Sequence, residues 1–520
     1  MAVSAKGVVA AGHPLTAETG AQVLRDGGNA VDAAIAAVLT SCVTESPLTG
    51  LGAGGYMLVH DGSEQVLLDF FVEAPGLGGR EPGSELVPVP IHFTDENVQV
   101  FHVGAASCGV PGTPAGMVAA AERFGSVPLA ELAAPAAALA RDGVELIPEQ
   151  EYFVRLLEPI LTLYDEARAI YAPEGHILGL GEAFRFPELG DAMERLGTDG
   201  ADPFYRGEVA VAMSDWVLER GGTLGPEDLA GYEVAARAPV RARFGGRDVL
   251  TNPPPASGGV LIAYALAVLE RLDDTGVESL VGAMEVAQAA RTERFLEGLL
   301  TAGFAEELLD PAGLDAAAEA VLARAAAGEG PVVRGDQLGS TTHITAIDAE
   351  GGCASVTCSN GTGSGLIVPG TGVHVNNMLG EQDLNPLGFH RHRPGTRMPS
   401  MMSPTVVLRD GELEAGLGSG GSNRIRSAVT QTVVHLIAEG AGVEDAVDAA
   451  RLHFEAGAVH AEPGIDETAL ERLAQRGYEI VRWHEPNVFF GGVHAVARDP
   501  ASGELVGAGD ARRGGAVAYA

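Results

Sequence analysis

The chain has 520 residues, with 33 Lys and Arg against 70 Asp and Glu for a formal charge of −37. That length allows a large core and, by length alone, two to four domains or one layered domain, while the charge argues against nucleic acid or an anionic membrane as a partner. The four cysteines, Cys42, Cys108, Cys353 and Cys358, read as free buried thiols, and a metal site at Cys353 and Cys358 would need two more soft ligands that are not in sequence reach.

The first residues, Met1 to Gly7, lack the charged and apolar regions of a secretory signal, and the longest apolar stretches, such as Val260 to Leu266, are far short of a membrane span. The chain therefore reads as cytoplasmic. Thr16 to Leu24 and Asn29 to Leu39 carry alanine and aliphatic residues at helical spacing, with Asn29 able to cap the second helix. Gly50 to Gly55 leads into a strand, Tyr56 to Val59, and Asp61-Gly62 turns into another, Val66 to Phe71. These glycines precede a strand and no lysine follows, so they do not form a phosphate loop. From Ala115 to Gly330 alanine- and leucine-rich helical patterns dominate, and Ala316 to Glu329, running into Gly330-Pro331, reads as a linker. Beyond it the pattern turns to strands at Thr342 to Asp348, Ala354 to Ser359, Thr405 to Leu408 and Glu412 to Leu417. Helices at Ile425 to Ala438 and Val443 to Leu452 follow, then strands at Val493 to Ala497 and Glu504 to Val506. Runs of strands and separate runs of helices suggest two sheets between helical layers.

The stretch Gly339-Ser340-Thr341-Thr342-His343 carries chemistry. Cutting the bond before Thr341 would give one residue both a hydroxyl nucleophile and an amine that can act as its base, with an α-amino pKa of about 7.7–8.0 near working pH. Read alone, the same threonines also fit an ordinary strand.

Around this stretch stand Gly27-Gly28-Asn29-Ala30-Val31-Asp32-Ala33-Ala34, Gly50-Leu51-Gly52-Ala53-Gly54-Gly55, Pro111-Gly112-Thr113-Pro114, Phe204-Tyr205-Arg206-Gly207, Asn252-Pro253-Pro254-Pro255, Met402-Ser403-Pro404-Thr405, Gly420-Gly421-Ser422 and Asp510-Ala511-Arg512-Arg513-Gly514-Gly515. In this order, over nearly the whole length, the chain resembles the gamma-glutamyltranspeptidase family. The resemblance implies the four-layer αββα sandwich of N-terminal-nucleophile hydrolases, an α+β fold. It also implies self-cleavage between Ser340 and Thr341 into a large fragment, 1–340, and a small one, 341–520, that stay associated as one domain. A small-molecule substrate follows, with no cofactor and no metal. Thr357 and Ser359, two apart on one strand and so on one face, match two family hydroxyls, the second of which holds the nucleophile. Gly420 and Gly421 match the family's oxyanion-hole glycines, where backbone N–H groups can approach a developing oxyanion.

The substrate side departs from the family. An arginine that grips the substrate carboxylate falls within Phe70-Phe71-Val72-Glu73-Ala74-Pro75 and is missing. Gly361 stands where an asparagine is usual, Met378 for a glutamine, Glu381 for the aspartate that binds the α-ammonium, and Ser400-Met401 for a serine pair. A replacement cation could come from Arg391, Arg393 or Arg397, although the segment also reads as a solvated loop, and His390 and His392 lack further metal ligands. The reading is a self-cleaving threonine hydrolase that forms an acyl-enzyme on Thr341, with a donor other than γ-glutamyl. Its rivals are a true gamma-glutamyltransferase and an uncleaved binding protein.

Overall fold

In the computed structural model, which describes residues 6–92, 98–331, 341–499 and 501–520, two antiparallel sheets form the centre. The seven-stranded sheet runs in the order Ala516–Tyr519, Gly7–Ala11, Thr342–Asp348, Cys353–Ser359, Gly54–His60, Gln65–Phe70 and Ala235–Arg237. The six-stranded sheet runs Leu505–Gly509, Gly492–Arg498, Glu412–Gly420, Thr405–Arg409, Arg247–Thr251 and Val240–Phe244. Strands from the two sides of residue 340 intermingle in the first sheet and meet in the second.

Side-chain alternation separates the layers. In the first sheet Val9, Met57, Val59 and Ile344 face a helical layer, while Val8, Tyr56, Leu58 and Ile347 join Val406, Leu417 and Val493 of the second sheet in a shared core. The outer layer on the first sheet is led by Ala30–Thr44, whose 15 residues are all buried. A helix apolar on every side needs partners all round, and this one lies between the sheet and the helices Pro14–Arg25 and Leu129–Asp142. Asn29 starts it with a capping box closed by Asp32. Gly258–Leu272 and Arg424–Ile437 bury their apolar faces in the core of the second sheet. The layers are therefore helix, sheet, sheet, helix.

Three sequence expectations change. Ala316 to Glu329 is no linker: it belongs to the helix Pro311–Ala327, capped by Asp310 and closed by Gly328 at φ 67°, with Leu314, Ala318 and Val321 buried. Alanine is the best helix former, so an alanine-rich run is helical wherever a few apolar residues can dock. The supposedly helical stretch also contains a hairpin, Val240–Phe244 and Arg247–Thr251, turned at Gly245 and Gly246 with φ of 53° and 75°. Val240, Ala242 and Phe244 are buried there, and Arg241 and Arg243 are exposed. Finally, the helix expected over Val443 to Leu452 stops at Asp448, because Arg451 buries its guanidinium 2.6 Å from Asp510, and Leu452–Glu455 opens a small three-stranded sheet. The four cysteines are free and buried. Among the described residues no helix is long and apolar enough to cross a membrane.

Candidate active site

Thr341 sits just before the strand Thr342–Asp348, at the end of the gap between the sheets, and is 5% exposed. Ser340 and the rest of 332–340 lie outside the described residues. Pairing of Thr342 with Cys358 sets the neighbouring strand so that Ser359 comes beside Thr341, with the two hydroxyl oxygens 3.5 Å apart. Ser359 Oγ in turn accepts from the N–H of Gly361 at 3.0 Å. Thr357, one pleat back, faces His343 instead: its Oγ1 is 2.8 Å from Nδ1, and Nε2 reaches Thr345 at 2.9 Å. Burial holds His343 well below its usual pKa, so this ring is neutral and cross-links the strands.

Gly420 ends its strand against Thr341. A Cβ there would lie 2.2 Å from the Thr341 carbonyl oxygen, so no side chain fits. Gly421 follows with φ 120°, a conformation that favours glycine, and the helix Arg424–Ile437 begins three residues later.

Two residues that carried no role in the sequence reading hold the Thr341-Thr342 segment, one through the backbone and one through a side chain. Arg513 Nη1 donates to the Thr341 carbonyl at 3.1 Å, and Thr342 Oγ1 donates to Glu45 Oε2 at 2.5 Å. Burial pushes Arg513 down to about 10, with Arg424 adding to the effect, yet it stays charged at neutral pH. Burial likewise pushes Glu45 up to about 7, against the donors Thr342 and Thr16 and the charge of Arg513. The available signal for Arg513 was the Asp510-Ala511-Arg512-Arg513-Gly514-Gly515 string. Glu45, after a helix of small residues, gave none.

A cavity of about 40 Å³ opens beside Thr341 and is lined by Thr341, Ser359, Gly361, Met378, Glu381, Ser400 and Met401 among others. The expected site residues thus come together, with two exceptions. Thr357 lies behind the site, and Arg397 lies away from the cavity with its guanidinium already engaged. It pairs with Asp69 at 3.4 Å and Glu73 at 3.2 Å, stacks 4.7 Å from the Tyr232 ring, and donates to the carbonyls of Phe71 and Glu233. Arg397 therefore braces the segment that presents Phe71 to the cavity. Arg391 and Arg393 line a separate outer pocket.

Gly361 packs against Asn377 and Glu381. A Cβ on Gly361, which has φ 64°, would lie 2.1 Å from Asn377 Oδ1 and 2.9 Å from Glu381 Oε1. The longer acid thus reaches into space that a side chain at 361 would fill. Asparagine tolerates this backbone region, so the obstacle to Gly361→Asn is crowding, and a loss of about 1–3 kcal/mol is expected in urea unfolding. Shortening the acid with Glu381→Asp should relieve part of that loss, with a coupling of at least about 0.5 kcal/mol in the double-mutant cycle. Strict additivity would show that the two positions are independent.

A family model described as gamma-glutamyltranspeptidase matches residues 16–520. The chain belongs to the gamma-glutamyltranspeptidase family. It is 31% identical over 519 residues to the acylase ACY 1 proenzyme of Pseudomonas sp. (strain SE83), covering 98% of this chain and 92% of that one. Against the glutathione hydrolase proenzyme of Bacillus subtilis (strain 168) the identity is 29% over 557 residues, covering 99% and 92%. Cephalosporin acylase from Bacillus halodurans superposes with a TM-score of 0.81 at 25% identity over 99% of this chain and 96% of that chain. The gamma-glutamyltranspeptidase of Helicobacter pylori gives 0.52 at 28% identity, covering 59% of this chain and 90% of that chain. As a gamma-glutamyltranspeptidase-family member the chain is an enzyme of the hydrolase and acylase kind, and its αββα layers are those of the N-terminal-nucleophile hydrolases.

Proposed function

We propose that the chain cuts itself before Thr341 and then hydrolyses an amide through an acyl-enzyme on that threonine. In the first step Thr341 Oγ1 attacks the carbonyl of Ser340, the C–N bond breaks, and water hydrolyses the resulting ester to free the Thr341 amine. In each turnover that amine takes the hydroxyl proton as Oγ1 attacks the substrate carbonyl, and passes it to the leaving amine. Water then releases the acid. Gly420 and Gly421 offer N–H groups to the oxyanion, a contribution on the order of 10²–10³ in rate per donor. Ser359 steadies Oγ1, Arg513 steadies the carbonyl of the same residue, and Thr357 fixes the strand through His343.

The observation that carries this reading is the placement of Thr341 at a cavity wall, its hydroxyl 3.5 Å from Ser359 and its carbonyl against Gly420. Two relatives are named as proenzymes, which supports processing. The acylase names among them, together with Phe71, Met378 and Met401 in the cavity wall, favour a donor other than a γ-glutamyl group.

Denaturing electrophoresis with N-terminal sequencing tests the processing step. Two bands are expected, with about two thirds and one third of the chain's mass, and the smaller should begin at Thr341. One intact chain in an active preparation would sink the proposal, and one intact chain without activity would favour a binding protein.

A further inference from the structure

Glu45 stands where little favours a negative charge. It caps the C-terminal end of the helix Ala30–Thr44, where the helix dipole opposes an anion, and it is 2% exposed. Its backbone is fixed by the N–H groups of Leu48 and Thr49, which donate to its carbonyl at 2.8 and 3.3 Å. Oε2 accepts from the Thr342 hydroxyl, and a Cβ on Gly12 would lie 2.3 Å from that oxygen, so the turn before the helix Pro14–Arg25 closes over it. Oε1 is buried and has no hydrogen-bond partner among the described residues. The Thr16 hydroxyl nearby is shared with that of Thr44 at 2.8 Å.

We propose that Glu45 is a positioning residue for self-cleavage: as a carboxylate it grips the Thr342 hydroxyl and, with Arg513 on the Thr341 carbonyl, fixes the segment that aims Thr341 Oγ1, and as a carboxylic acid it releases that segment. This role rests on the reading of Thr341 as the self-cleaving residue and adds a control on that step. The two states of the acid make different hydrogen bonds. Ionised, Glu45 only accepts, which suits the Thr342 donor at Oε2. Protonated, it must place an O–H either on Oε1, which has no partner among the described residues, or on Oε2, where it meets the Thr342 proton. Thr342 then turns away or a buried donor is left unpaired, and an unpaired buried donor is costly. The buried Arg513 guanidinium also loses a charge that favours it.

Burial, opposed by the Thr342 and Thr16 donors and the Arg513 charge, brings Glu45 to about 7, so it changes state in the neutral range. The groups around it do not. Burial pushes the Cys42 thiol on the same helix up to about 12 and the Cys358 thiol on the neighbouring strand well above its usual value, holds His13 beside Gly12 at about 4, and leaves Arg513 charged. In the uncut chain the Thr341 nitrogen is an amide, so the α-amine that titrates during turnover does not yet exist. A midpoint near neutral pH in self-cleavage therefore belongs to a side chain. In the cavity wall the acids to weigh against Glu45 are Glu381, pushed up to about 8 by burial and the Asp383 charge, and Asp383, which burial also raises. Because the ionised form of Glu45 holds Thr342, self-cleavage should quicken as pH rises through its midpoint.

The test follows full-length chain, labelled during cell-free translation, after transfer to buffers between about pH 5.5 and 8.5, with the cut fraction read on denaturing gels. The wild-type rate should rise by about tenfold from pH 6 to 8, as the ionised fraction of a group titrating near 7 does. Glu45→Gln resembles the protonated acid, with N–H donors where Oε1 finds no partner, and should cut at one slow rate across the range. Thr342→Val tests the same contact without touching the acid: removing a donor that favours the ionised form should move the midpoint to higher pH, and Thr342→Ser should restore it. Glu381→Gln, whatever it does to the rate, should keep the wild-type midpoint. A flat wild-type profile, a Glu45→Gln rate that still climbs with pH or equals wild type at pH 8, an unmoved midpoint in Thr342→Val, or a midpoint lost in Glu381→Gln overturns the role of Glu45 and leaves the Thr341 reading standing. A wild-type chain that stays whole at every pH overturns both.

Discussion

Thr341→Ala is expected to remain one chain and to lose turnover by at least about 10³-fold, because the same hydroxyl serves self-cleavage and acyl transfer. Thr341→Ser should still be cut, since it keeps both the hydroxyl and, after cleavage, the amine on one residue. Folding should suffer little in either variant: Gly420 packs against the threonine's carbonyl and Arg513 binds it, and neither contact uses the side chain. Intact-mass analysis with an amide-hydrolysis assay checks this. A Thr341→Ala protein that is cleaved and active would falsify the mechanism.

Asp510→Ala should produce the largest loss of stability. Asp510 is fully buried, its Oδ2 lies 2.6 Å from Arg451 Nη1 and its Oδ1 lies 3.2 Å from Arg512 Nη1. It also accepts from the N–H groups of Val493 and Arg512, both at 2.9 Å. Deleting the carboxylate strands buried guanidinium charge, which costs about 3–5 kcal/mol. Burial alone would raise this acid's pKa, but Arg451, Arg512 and the backbone donors bring it below the usual 3.8. A group depressed in the folded state stabilises above its unfolded pKa and loses that contribution as pH falls. Wild type should thus lose stability below about 3.8, and Asp510→Ala should lack that component. Urea titrations between pH 3 and 7 would show it, and equal acid sensitivity in both proteins would rule the account out. Because Arg513 donates its N–H to the Asp510 carbonyl at 3.0 Å and its guanidinium to Thr341, the variant should also be slow to cleave itself.

Much of the site could be read before any fold was known. Thr341 and Gly420 lie in distinctive strings, Ser359 and Glu381 were matched to family positions, and the strand-like runs after residue 341 marked the strands that carry Ser359 and Gly420 and the one that Thr341 precedes. The hairpin at 240–251 also carried its signal, alternating apolar residues with arginines before two glycines, but the helical segments around it masked it. Other features depend on distance in space. Arg397 looked like a free cation, yet Asp69, Glu73 and Tyr232, far away in the chain, already occupy it. Arg513 binds Thr341 and Glu45 binds Thr342, partners that each meets only through the fold. The changes at positions 361 and 381 show in sequence as two unrelated substitutions, whereas in space Asn377 Oδ1 lies 2.1 Å and Glu381 Oε1 2.9 Å from a Cβ at 361.

The order of strands in the first sheet has a consequence for a chain cut, as proposed, before Thr341. Gly7–Ala11 lies between Ala516–Tyr519 and Thr342–Asp348, and Gly54–His60 borders Cys353–Ser359. Neither product of cleavage owns a complete sheet. An uncut molecule that unfolds finds its missing strands at the high local concentration set by its own backbone, whereas a cut one must find them by collision. Refolding thus changes from a first-order process to one that depends on dilution. The lifetime of the enzyme so processed would be governed by how slowly it opens, and each molecule would keep the pair of fragments with which it was made.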